Sequence, residues 1–154
     1  MTDDTLTKAL APLIDRSWFS FGMPVLELQV AKLMPLVQRL RTEFGFMLFL
    51  DVTAVDHPTR QPRFDVVYHF MSAQRRSRIR LKLQVSEEAP VVPTLTGLFG
   101  AARFMEREVH DMYGIRFEGN ADLRPILLYE GFVGHPLRKD YPMEQEQPIV
   151  PYRK

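Results

Sequence analysis

The chain has 154 residues, a formal net charge of +1 and no cysteine. The balanced charge argues against binding to nucleic acid or an anionic membrane through bulk electrostatics. Without cysteine, the chain has no disulfide, no thiol catalyst and no thiolate ligand for zinc or an iron–sulfur cluster. Its longest apolar run, residues 46–50, is too short to cross a bilayer, and its acidic start is unlike a secretory signal. These features predict a cytosolic globular domain.

The first third of the chain contains helix and strand patterns in turn. Residues 5–15 carry leucines at helical spacing, which predicts a short amphipathic helix. Apolar and polar residues alternate over residues 26–30, as in a half-buried strand. A second helix is predicted to begin near Pro35, since proline suits a first turn, and to end at Gly45.

Three further strands are predicted in the middle of the chain. They cover residues 46–55, 64–70 and 79–85, and the last alternates strictly between apolar and basic side chains. Residues 72–76 suit a hairpin turn between the last two. The prediction is an α+β fold, a two-layer α/β domain with helices on one face of a small mixed, largely antiparallel sheet.

A charged helix follows and ends at Gly114. We assign its apolar face to five residues, namely Ala101, Phe104, Met105, Val109 and Met112. Glu108 falls within that face, where a carboxylate is costly unless it is paired. It is therefore predicted to pair with an arginine such as Arg124, or alternatively to have a shifted pKa for proton chemistry. Arg107 and Asp111 are four residues apart and can pair along the helix.

The same helix offers residues for two further candidate sites, a metal-binding site and an acid–base catalytic site. Glu106 and His110, with His135, could bind a metal ion, but they lack the HExxH spacing and a solvated helix face is favoured. A small acid–base enzyme would use Glu108 with His110 or His135. We predict no catalytic, cofactor-binding or metal-binding residue in this chain.

A basic stretch lies around the predicted hairpin turn. It comprises Arg75, Arg76, Arg78, Arg80 and Lys82. These side chains could contact phosphates as part of a nucleic-acid-binding module. Few aromatic residues are interleaved with them, so the solvated face of a strand is the favoured interpretation.

The last part of the chain has little periodicity. Residues 117–154 are punctuated by glycine and proline, and nearly forty residues without regular structure exceed an ordinary loop. They also carry too many apolar residues for a solvated tail. We therefore predict a domain over residues 1–116 and an extended segment over residues 117–154. That segment is expected to dock partly on its own domain and partly on partner subunits.

Several motifs in colinear order resemble one family. They are LDVTAVD at residues 50–56, FDVVYH at 64–69, VPTLT at 92–96, EREVHDMYGI at 106–115 and GHPLRKDYP at 134–142. Together they resemble the 30-kDa-type subunit, or C subunit, of the proton-pumping NADH:quinone oxidoreductase, respiratory complex I. Several separate motifs are far more specific than any single short pattern.

The resemblance implies a non-catalytic structural subunit of the hydrophilic arm, an enzyme only as part of the NADH:quinone oxidoreductase complex. NADH, FMN, iron–sulfur clusters and quinone would lie on other subunits. The implied partners are the quinone-site subunit and neighbouring iron–sulfur subunits, without nucleic acid and without insertion into the membrane. The implied location is peripheral, on the cytoplasmic side of the bacterial inner membrane.

The resemblance also marks residues for structural and partner contacts. These are Glu106, Arg107, Glu108, Asp111, Gly134, His135, Pro136, Leu137, Arg138, Lys139, Asp140 and Tyr141, and Arg124 joins them as the expected partner of Glu108. The chain departs from the usual motifs at some positions, including Met105 and Pro125. The equivalent subunit of a related membrane-bound hydrogenase-type complex therefore stays open as an alternative.

Overall fold

The computed structural model describes residues 3–147. Its helices and strands are, in chain order, α1 (Asp3–Leu10), β1 (Arg16–Ser20), β2 (Met23–Leu28), α2 (Leu33–Thr42), β3 (Leu48–Asp56), β4 (Phe64–Ser72), β5 (Ser77–Val85), β6 (Val91–Pro93), α3 (Ala102–Tyr113) and β7 (Arg116–Glu118). Short 3₁₀ turns follow α1 and precede α2.

The main sheet has five strands in the order β1-β2-β5-β4-β3. Neighbouring strands are antiparallel except for β2 and β5, which run parallel with Val25 opposite Arg80. A separate two-stranded sheet pairs β6 with β7 in parallel, with Val92 opposite Phe117. The predicted α+β fold with a mixed, largely antiparallel sheet is confirmed.

The alternating pattern of β5 explains why its register is fixed. Ile79, Leu81 and Leu83 are fully buried, whereas the basic residues between them point to the other face. A slip of one residue would bury arginine and expose the apolar residues. One core forms where this face of the sheet meets buried side chains of α1, α2 and α3.

Three strands, β1, β6 and β7, have no clear signal in the sequence. All but one residue of β1 are exposed, so its apolar and polar residues need not alternate. It pairs with β2 through a tight turn at Phe21 and Gly22. β7 has only three residues and extends across the predicted boundary between residues 116 and 117.

Candidate functional site

A buried carboxylate joins α3 to the loops around the small sheet. Glu106 is fully buried, and its Oε1 accepts a hydrogen bond of 2.7 Å from the backbone N–H of Leu95. Its Oε2 accepts from Thr94 Oγ1 at 2.6 Å and from Asn120 Nδ2 at 2.9 Å. Burial raises the pKa of the Glu106 carboxyl above its ordinary value, although these hydrogen bonds lower it. Both carboxylate oxygens of Glu106 accept hydrogen bonds from the chain itself, which is typical of a structural role.

The prediction that Glu108 is the buried carboxylate is wrong. Glu108 is exposed, and Arg124 donates to Asp122 at 2.9 Å instead of pairing with it. The error comes from Phe104, which is 57% exposed and does not belong to the buried face. Without Phe104, the buried arc of the helix rotates towards Glu106.

Arg107 lies against the main chain of the tail, so its predicted pairing with Asp111 is also wrong. Its Nε donates to the carbonyl oxygen of Arg124 at 2.8 Å, and its Nη2 donates to that of Pro125 at 2.7 Å. The planar guanidinium can donate in two directions at once, which suits two successive carbonyl groups. Arg107 thus fixes the tail where it first passes α3.

Asp111 binds the next three residues of the tail. Its Oδ2 accepts hydrogen bonds from the backbone N–H groups of Ile126 at 2.7 Å and Leu127 at 3.0 Å. The N–H of Leu128 lies at 3.4 Å from the same oxygen. Asp111 is buried, and these donors satisfy a charge that would otherwise be costly there.

The end of α3 is covered by two tail side chains packed over a glycine. Gly114 has φ +74°, and a Cβ there would lie 2.5 Å from Nε2 of His135 and 2.8 Å from Nη2 of Arg138. Nδ1 of His135 lies 2.9 Å from the carbonyl oxygen of Asp111, and Nε of Arg138 donates to that of Tyr113 at 2.6 Å. Both bonds satisfy carbonyl groups that a helix end leaves without partners.

A second anchor lies at the end of β3. We use the term Arg63 cluster for Asp56, Arg63, Glu87, Lys139 and Asp140. Buried Arg63 donates to both oxygens of Asp56 at 2.7 and 2.8 Å, to Glu87 at 2.5 Å and to Asp140 at 2.9 Å. The backbone N–H of Lys139 donates to Asp56 at 2.7 Å. The hydrogen bonds from Arg63 lower the pKa of both Asp56 and Asp140.

Between these anchors the GHPLRKDY motif forms a compact turn. A Cβ on Gly134, where φ is +98°, would lie 2.7 Å from the ring of Tyr141. The N–H of Leu137 donates to the carbonyl of Met112 at 3.1 Å. The ring of Phe132 stacks on that of Tyr141, with centroids 6.1 Å apart. The motif therefore belongs to the packing of the tail on its own domain.

Several apolar side chains of the tail remain exposed, although Phe117 is buried in the core and Leu123 packs against it. Leu127 is 62% exposed, Val133 60% and Leu137 48%. Beyond Leu123 the tail is held by hydrogen bonds that involve carboxylates and arginines, and Leu127, Val133 and Leu137 remain accessible. Sequence reasoning missed Arg63, because nothing around it marks a loop arginine as buried.

The weaker sites drawn from the sequence are not assembled. Among residues 3–147, no three His, Cys, Asp or Glu side chains are placed to bind a metal ion. Glu106 points into the core, and the rings of His110 and His135 have centroids 6.4 Å apart. In the basic stretch, Arg80 donates to His69 and Lys82 pairs with Asp65 at 2.9 Å. Within the same residues, no helix is long and apolar enough to cross a membrane.

The sequence model of the family described as "Respiratory-chain NADH dehydrogenase, 30 Kd subunit" matches residues 26–147. The chain belongs to this family. It is 44% identical over 137 residues to the NADH-quinone oxidoreductase C subunit of Methylobacterium radiotolerans, covering 88% of this chain and 63% of that protein. It is 43% identical over 142 residues to the same subunit of Rhodopseudomonas palustris, covering 91% and 71%. The resemblance predicted from the motifs is confirmed.

Solved structures agree with membership of the 30 Kd subunit family. The trypsin-resistant fragment of Nqo5 superimposes with a TM-score of 0.70 at 32% identity, covering 79% of this chain and 98% of the fragment. A chain of the membrane-bound sulfane sulfur reductase, an archaeal respiratory membrane complex, gives a TM-score of 0.79 over 92% of this chain and 86% of that chain. The latter is 24% identical, so it supports the fold alone.

Proposed function

We propose that this chain is a non-catalytic structural subunit of the hydrophilic arm of a complex I-type NADH:quinone oxidoreductase. Its tail would contact the quinone-site subunit and neighbouring iron–sulfur subunits. In this role the chain supports the geometry on which electron transfer and its coupling to proton translocation depend. The observation that carries the proposal is the orientation of the tail, whose polar groups bind its own domain while Leu127, Val133 and Leu137 stay exposed.

That orientation favours a protein partner over a solvated surface. Phe104, Leu127, Val133 and Leu137 all keep about half or more of their side-chain surface exposed. Apolar groups gain free energy when a partner removes them from water, and interface cores are enriched in such side chains. Because the tail is already fixed from within, docking would cost little further ordering entropy.

The cofactor chemistry is assigned to other chains of the complex. NADH, FMN, iron–sulfur clusters and quinone would bind there, and this chain has no thiolate to offer a cluster. The chain would be peripheral on the cytoplasmic side of the bacterial inner membrane through its partners. The alternative proposal is that the chain is the equivalent subunit of a related membrane-bound hydrogenase-type complex. It ranks second because only a likeness of fold to a chain of an archaeal respiratory membrane complex supports it.

Substitution on the tail tests the proposal directly. We expect Leu127→Glu combined with Leu137→Glu to leave the complex, while the free chain keeps its thermal stability because both side chains are exposed. The measurement is co-purification of the chain with the membrane-extracted oxidoreductase. Val55→Glu, at an exposed position of β3, is the matched control and should stay in the complex. Full co-purification of the double variant would refute the proposal.

A further inference from the structure

Two turns meet at the end of the main sheet that lies away from the Arg63 cluster. β2 runs parallel to β5 with Val25 opposite Arg80, so the β1–β2 turn lies beside the β4–β5 turn. Both turns line a cavity of about 480 Å³. The nine residues of β4 separate this end from the Arg63 cluster, a distance of roughly 27 Å at strand spacing.

The tip of the β1–β2 turn presents an aromatic ring to solvent. Phe21 is fully exposed, at 103% of its reference surface, and has φ +52°. Gly22 follows with φ +72°, so both central residues of the turn are left-handed. Such turns favour Asn-Gly, and a bulky residue with positive φ is strained. Phe21 thus contributes neither turn propensity nor core packing, which favours a contact with another molecule.

Two arginines, Arg76 in the neighbouring turn and Arg78 at the start of β5, have no carboxylate partner among the described side chains. Arg76 and Arg78 are exposed, and neither forms an ion pair with a described side chain. Arg76 also has a positive φ of 50°. Among the described residues that line the cavity, none is acidic. Further along β5, Lys82 pairs with Asp65, whereas Arg80 donates a hydrogen bond to the ring of His69. Arg76 and Arg78 therefore place basic charge without a described carboxylate partner at this end of the sheet.

We propose that Phe21, Gly22, Arg76 and Arg78, here called the Arg76 surface, bind an acidic segment of a partner protein that also offers an apolar side chain. Charge complementarity selects the carboxylates, and Phe21 supplies the apolar contact. A nucleic acid fits less well, because the free cations are few and form no track along a backbone. This contact is additional to the proposed function. With the tail at the other end of β4, it would let the chain bridge two neighbours.

Binding to a defined probe tests the chemistry of the Arg76 surface. The probe is a fluorescent peptide of glutamates flanking a single leucine, titrated against the full chain at low ionic strength. We expect Arg76→Glu with Arg78→Glu to weaken binding about tenfold. Arg103→Glu with Arg116→Glu changes the net charge equally at exposed sites and should have little effect. Phe21→Ser should also weaken binding while leaving thermal stability unchanged.

Three outcomes of this titration would overturn the proposal. The first is equal binding by both double variants, since attraction would then follow net charge alone. The second is equal binding of a peptide with lysines in place of glutamates. The third is tighter binding of a single-stranded oligonucleotide of the same length, which would assign the surface to nucleic acid.

A photo-crosslinking residue at position 21 tests the proposal in the native complex. We expect it to join an acidic segment of a co-purifying subunit, and the product to disappear in the Arg76→Glu, Arg78→Glu background. The same residue at position 137 reports on the tail independently. Products from position 137 but none from position 21, or a position 21 product in a segment without carboxylates, would refute this inference and leave the proposed function intact.

Discussion

The backbone N–H of Lys139 donates a 2.7 Å hydrogen bond to the carboxylate of Asp56, joining the end of β3 to a tail residue 83 positions later. The same carboxylate pairs with buried Arg63. Asp56→Ala should therefore destabilise the chain by about 3 kcal/mol or more, because it removes the charge that compensates a buried guanidinium. Equilibrium denaturation by urea measures this loss.

The matched control for this prediction lies on the same arginine. Glu87 also pairs with Arg63, but its side chain is 52% exposed. Glu87→Ala should cost at most about 1 kcal/mol. Equal losses in the two variants would contradict a dominant role for Asp56.

Acid should release the tail from the Arg63 cluster. The pKa values of Asp56 and Asp140 in the folded state lie below the ordinary 3.8 because Arg63 binds both carboxylates. A lowered pKa adds stability that is complete above 3.8 and is lost as the pH falls through the folded-state values. Amide hydrogen exchange at residues 138–141 should therefore lose protection as the pH falls below about 4 into the strongly acidic range. Unchanged protection at the lower pH would argue against the ion pairs as the tail's anchor.

Replacing each of two glutamates of α3 by alanine compares the contribution of a buried carboxylate to stability with that of an exposed one. Glu106→Ala leaves Thr94, Leu95 and Asn120 without their acceptor, so we expect a loss of about 3 kcal/mol. Glu108→Ala changes an exposed residue and should stay within about 0.5 kcal/mol. Thermal unfolding of both variants measures the difference. A larger loss of stability in Glu108→Ala than in Glu106→Ala would support the prediction from the sequence that Glu108 is the buried, paired carboxylate.

Gly114 should tolerate no side chain, for two separable reasons. Alanine would be strained at φ +74°, and its Cβ would collide with His135 and Arg138. Gly22 has a similar φ of +72°, but apart from its two chain neighbours no described residue comes within 4 Å of the position that a Cβ would take, so Gly22→Ala reports the strain alone. We expect Gly114→Ala to cost about 1–2 kcal/mol more than Gly22→Ala and to increase proteolysis of the tail. Equal costs would show that the collision is relieved without displacing the tail.

Tyr68 offers a substitution that should stabilise the chain. It is fully buried in an aromatic cluster with Phe49 and Phe70, and its hydroxyl has no hydrogen-bond partner among the described residues. Burial raises the pKa of its phenol well above the ordinary value, so the group stays neutral. Tyr68→Phe removes the unsatisfied hydroxyl and should add about 1 kcal/mol to the free energy of unfolding. A loss of stability would reveal a partner for that hydroxyl.

Much of the fold follows from periodicity along the chain. The alternation in β5 and the leucines of α1 mark elements whose one buried face must be apolar, and the structure confirms them. β1 lacked such a signal because an edge strand with exposed side chains needs no alternation. The helix carrying Glu106 was predicted, yet its rotation was misjudged because Phe104 is apolar and exposed.

The sequence alone determined the family and the type of fold, because these rest on local patterns and composition. It also predicted that residues 117–154 lie against something, although residues 148–154 fall outside the part of the chain that the structure describes. Only the tertiary structure decided which carboxylate is buried and how the tail is attached. Asp56, Arg63 and Asp140 are distant along the chain, and no local pattern reports that they meet. A charged side chain can be buried only where residues of other elements supply hydrogen-bond partners. The roles of Glu106 and Asp111 therefore could not be predicted without the positions of those partners.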